Sequence, residues 1–95
     1  MSQEYMGHNL LIAEIDVLKE LENLMGSNWN KNCFSVDEQN HVFRIVVARV
    51  NLNKLPENIG NCKELKALMC YGNKIERLPN SIGQTAFGPV TSDLH

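Results

Sequence analysis

The sequence predicts a small α/β fold organised around an internal repeat. Three observations lead there. Apolar residues near the start follow a helical period. Apolar and turn residues in the middle recur at a constant offset. The recurring segments open on short runs with the alternation of strands. At 95 residues, 43% of them hydrophobic, the chain has material for one domain, which buries about 60–65% of its unfolded surface.

The first element is a helix expected over about residues 8–25. Leu10, Leu11, Ile15, Val17, Leu18, Leu21, Leu24 and Met25 fall on one broad side at 100° per residue, with Asp16, Lys19, Glu20 and Asn23 opposite. Glu14 sits inside the apolar arc and is the flaw in the pattern. Asn9 is the expected N-cap and Gly26 the C-cap. Such a helix is expected to pack on its own domain.

The middle is a repeat. Val42–Asn61 aligns with Leu65–Gln84 at an offset of 23, placing Val42 on Leu65, Ile45 on Leu68, Val47 on Cys70, Leu52 on Ile75 and Lys54 on Arg77. Leu55-Pro56 falls on Leu78-Pro79, and Ile59-Gly60 on Ile82-Gly83. Apolar matches alone arise by chance; two dipeptides repeated at one offset do not. Ile45–Ala48 and Leu68–Tyr71 suit short strands.

The second copy, L-K-A-L-M-C-Y-G-N-K-I-E-R-L-P-N-S-I-G, resembles the leucine-rich repeat pattern L-x-x-L-x-L-x-x-N-x-I-x-x-L-P-x-x-I-G. The likeness covers about Val42–Gln84 and is similar to the 23-residue intracellular type. It implies a solenoid fragment: a cap helix and hairpin, then about two repeats with short parallel strands, with Asn73 bonding backbone groups of the neighbouring coil. Val50 stands at the Asn position of the first repeat, and Cys70 at a core Leu position. Residues 28–42 resemble the N-terminal cap that precedes many such repeats, with Trp29 as its core anchor. Cys33 has no second cysteine where a cap disulfide would need one. The expected organisation is therefore a cap at 1–41, two repeats at 42–84 and an irregular tail at 85–95. A third repeat would need Leu at the positions of Gly88, Thr91 and Asp93, so the open end is expected to be truncated, or covered by a partner or a second copy.

Composition and motifs narrow the function. A net charge of −2, with Lys54, Lys63 and Lys74 interleaved with Glu57, Glu64 and Glu76, argues against nucleic acid. No apolar run approaches the roughly 18 residues of a membrane span, and the N-terminus has no signal-peptide pattern. Three cysteines without C-x-x-C spacing read as reduced thiols in a cytoplasmic setting. His8, His41 and His95 make no local metal motif. The glycine spacing at 83–88 lacks the Lys-Ser/Thr of a phosphate loop. Neither an enzyme nor a cofactor is expected.

What remains is the outward side of the strands, the concave face in leucine-rich repeats. The expected partner-binding residues are Arg44, Val46, Ala48, Met69 and Tyr71, with Ala67 beside them and Arg49 and Gly72 just beyond. Tyr, Met and Arg are enriched at protein interfaces. The expected function is non-catalytic protein–protein interaction. The alternatives are a self-associating structural module, paired through the open end near residues 71–88, and the recognition part of a larger signalling protein or enzyme.

Overall fold

The computed structural model describes residues 1–75 and 79–81. The expected tail at 85–95 and the Leu78, Ile82 and Gly83 positions of the second repeat lie outside the described residues.

The chain opens on an antiparallel hairpin of β1 (Ser2–Tyr5) and β2 (His8–Leu11), paired from Ser2↔Leu11 to Tyr5↔His8. Met6 and Gly7 form its two-residue turn, both with positive φ, 49° and 88°. Such turns match the right-handed twist of their strands. Gly7 takes this backbone freely, whereas Met6 is held there at modest cost. The helix α1 (Ile12–Met25) follows directly. The expected start near residue 8 is therefore corrected. His8–Leu11 is strand, Asn9 lies within it, and Leu11 takes the N-cap position with no side-chain cap. The apolar pattern fits both structures over four residues, and the hairpin pairing decides between them. Gly26 closes α1 with φ 59°, its N–H bonded to the Glu22 carbonyl.

Two 3₁₀ turns, Gly26–Asn28 and Lys31–Cys33, lead into a second sheet. It contains β3 (Phe34–Val36), β4 (Val42–Val46) and β5 (Ala67–Met69), in that order. β3 and β4 run antiparallel, with a bulge between Ser35 and Val36. The Asp37 carboxylate organises their connection by accepting the Gln39 and His41 N–H groups. β4 and β5 run parallel, pairing Arg44↔Ala67, Ile45↔Leu68 and Val46↔Met69, which is the repeat offset expressed as a strand register.

The expected leucine-rich repeat solenoid is not what forms. Described residues make a small α/β unit of one helix, an antiparallel hairpin and a mixed three-stranded sheet. A solenoid grows by stacking like coils through parallel strands. Here one pair is parallel, and the other edge of β4 is taken by the antiparallel β3. Val50 also lacks the side-chain amide that would repeat the Asn bracket one coil earlier.

Among the described residues, that bracket forms at Asn73. Its Oδ1 accepts the Val50 and Leu52 N–H groups at 2.9 and 3.1 Å. Its Nδ2 donates to the carbonyls of Val47, Cys70 and Tyr71 at 2.7, 2.9 and 3.3 Å. Ser81 does the same on a smaller scale, accepting the Gly60 N–H and donating to the Glu57 carbonyl. One contiguous core, with Leu18, Leu21, Ile45, Leu55, Ile59 and Leu65 among its members, joins the helix to the sheet. Trp29 stacks on Phe34 at 5.8 Å and donates Nε1–H to the Tyr5 hydroxyl, which in turn donates to Glu22. This chain of contacts ties the hairpin, the helix and the second sheet together. Among the described residues, no helix is long and apolar enough to cross a membrane.

Replacing Asn73 by Ala strands two N–H groups and removes the donor to three carbonyls in a partly buried turn. The expected loss is about 2–4 kcal/mol, read as a lowered urea midpoint with an unchanged slope. Asn73→Asp keeps the acceptor but sets a carboxylate against those carbonyls, so it is expected to rescue little.

Candidate functional site

The β4–β5 pair turns one face to the core and one outward. Val42, Ile45, Val47, Leu68 and Cys70 are buried. Arg44, Val46, Ala67 and Met69 alternate to the other side, with Ala48 and Tyr71 continuing the alternation past the strand ends. Val46 pairs with Met69, and the Arg44 guanidinium reaches diagonally to the Met69 sulfur, Nη2 to Sδ 3.6 Å. Met69 is 36% exposed. Val46, Ala48 and Tyr71 are half-buried, and Arg44 is exposed. The structure thus brings the five sequence-derived residues onto one small surface.

Arg49 joins them in a way the sequence gives no sign of. It has φ 58°, in the left-handed region, and Asn51 follows at φ 61°. For Arg49 this costs roughly 1 kcal/mol or more, whereas Asn tolerates the region better. The turn is over-determined from outside. The Arg49 N–H bonds to the Tyr71 carbonyl at 2.9 Å, and the next N–H, from Val50, is held by Asn73. The Arg49 guanidinium consequently lies over the Tyr71 ring, 5.6 Å from its centroid.

A second polar concentration lies inside the molecule. Glu14, the flaw in the helical pattern, is 1% exposed. Its Oε2 accepts the Val42 N–H at 3.0 Å and lies 3.6 Å from His41 Nδ1, while Oε1 is buried without a hydrogen-bond partner. Burial holds the Glu14 carboxyl above the usual carboxylate range, against the opposing pull of the Val42 N–H and His41. Burial also pushes the Cys62 thiol up to about 12, with the Glu14 charge adding to it. A thiol held this high is protonated at neutral pH and packs as a small apolar group. Glu14 acts as a fastener between α1 and the start of β4. Among the described residues, no three His, Cys, Asp or Glu side chains are grouped to hold a metal ion. A shallow cleft of about 290 Å³ between Glu20 and residues 54–58 is rimmed by Lys54 and Glu57 and lies apart from the sheet face.

The Glu14 fastener makes stability depend on pH. A carboxyl with a raised folded pKa contributes fully below its unfolded value of 4.5, and that contribution is lost as pH rises through the folded value. Asp37, lowered from 3.8 first by the His41 N–H, has the opposite sign: its contribution is present above that value and lost on acidification. The two windows are separate. The expected result is a urea midpoint that falls between pH 4.5 and 8 in the native chain. Glu14→Gln, which keeps an acceptor for Val42 without a charge to bury, should be flat over that window and more stable than the native chain at its upper end. Parallel pH profiles for the two chains would remove the fastener from the account.

No protein-family model matches the chain, and no curated protein or solved structure proved similar to it.

Proposed function

We propose that the chain is a non-catalytic protein-interaction module that receives its partner on the outward face of the β4–β5 pair. The arrangement carrying this reading is the juxtaposition of Val46, Met69 and Tyr71 with two arginines laid against them. An apolar, sulfur-bearing and aromatic centre with a charged rim has the anatomy of a protein interface. Met adapts its shape to a partner, and Tyr and Arg are the residue types that most often anchor one. The β4–β5 register, which sets Val46 beside Met69 on the outward side, supports the choice of this face over the helix. The buried positions of Cys33 and Cys62, with no bridge between them, favour a reducing, cytoplasmic setting.

A competing account is that these side chains merely stabilise a small sheet from outside. A photo-crosslinking residue at position 69, with one at position 19 on the helix surface as control, separates the two in cells that express the chain. The expected outcome is a discrete adduct from position 69, none from position 19, and loss of the adduct when Arg44→Glu is added to a chain with an unchanged circular dichroism spectrum. Equal labelling at both positions, or none at either, would overturn the interface. An adduct with the mass of two chains would make self-association the function instead.

A further inference from the structure

Resting on the interface just proposed, we infer that the partner is acidic: a protein segment that sets carboxylates on Arg44 and Arg49 around an apolar side chain seated on Val46 and Met69.

The first support is charge. Arg44 and Arg49 are the charged side chains of this face, on a chain whose net charge is −2. Of the acidic residues, Asp16, Glu20 and Glu22 lie along α1. Asp37 is engaged with its own turn. The two arginines give this face a positive character on a chain of net charge −2. Opposite charge draws an acidic partner toward them.

The second support is geometry. Neither guanidinium forms an ion pair with a carboxylate among the described residues; each lies on an apolar or aromatic neighbour, Met69 for Arg44 and Tyr71 for Arg49. Planar forks held this way keep their outer N–H groups directed at an incoming carboxylate and lose little freedom on binding. Arg49 is placed by backbone as well as side chain. Its left-handed turn is locked by Tyr71 and Asn73. Gly72, at φ 73°, leaves open the space where a Cβ would meet Arg49 Cγ.

Phosphates also suit guanidinium groups. A single strand of nucleic acid, however, needs open aromatic faces to stack its bases, and Arg49 occupies one face of the Tyr71 ring. The arrangement favours a peptide.

The test is selection from a displayed library of random peptides, about twelve residues long, on the immobilised full chain at low and physiological salt. Expected winners are rich in Asp and Glu around one aromatic or aliphatic residue. Their affinity should drop about tenfold or more when Asp and Glu are changed to Asn and Gln, and again when the chain carries Arg44→Glu with Arg49→Glu. Neutral or basic winners, no enrichment, or acidic winners indifferent to the double charge reversal would overturn the inference. So would tighter binding of a single-stranded RNA of random sequence, or a dimer by light scattering that the double reversal dissolves. The position-69 adduct keeps the two claims apart: an adduct with neutral winners sinks only the acidic partner, whereas acidic winners that crosslink to position 19 sink the interface itself.

Discussion

Two short parallel strands are a weak joint. β4 has five residues and β5 three, and parallel pairing is the less stable kind. Asn73 makes the joint definite. One side chain closes five bonds to backbone groups, three of them reaching the turn beyond β4 and two reaching the end of β5. Everything outward of the core depends on that register. A slip of one residue would turn Val46 and Met69 inward and bring Ile45 and Leu68 to the surface. Arg49 and Asn51 adopt their left-handed backbone in the same turn whose neighbouring N–H groups Asn73 takes up.

Glu14 is the counterpart on the other side of the sheet. Antiparallel β3 leaves the Val42 N–H to be satisfied from elsewhere, and the helix supplies a carboxylate for it. An apolar residue at position 14 would avoid burying a charge, and such exchanges are often neutral or stabilising. It would also leave that N–H without an acceptor and remove the directional link between α1 and β4. The buried carboxylate thus trades free energy for a fixed angle between helix and sheet, with His41 at the solvent edge tempering the charge.

What could be read from the sequence was chemistry that acts locally or repeats. The offset of 23 became the β4–β5 register. The resemblance to the leucine-rich repeat pattern implied the bridging role of Asn73, because that pattern sets an amide there against the neighbouring segment's backbone. The outward residues followed from alternation. The hairpin was not legible. Met6-Gly7 lacks the Asn-Gly signature of its turn, and four residues of β2 fit a helical period as well as a strand. Glu14 looked like an error because its partner, the Val42 N–H, is 28 positions away. A solenoid does not follow from the repeat: repeat spacing fixes how two segments pair, but not what occupies the remaining edge, where β3 sits. Nothing in the sequence marks Arg49 as left-handed, since that backbone is imposed by tertiary bonds.

The face and the scaffold therefore share part of their machinery, but not all of it. Tyr71, Gly72 and Asn73 are consecutive. The first offers a ring to Arg49 and a carbonyl to its N–H, the second leaves room for its side chain, and the third holds the turn. Changes there alter surface and stability together, so loss of binding in such variants says little about contact. Arg44 is different. It is exposed, and its side chain bonds only to the Met69 sulfur among the described residues. Exposed contacts of that kind carry little folding energy. Its charge can be altered while the joint beneath it stays intact, which makes it the residue at which the proposed interface can be tested apart from folding.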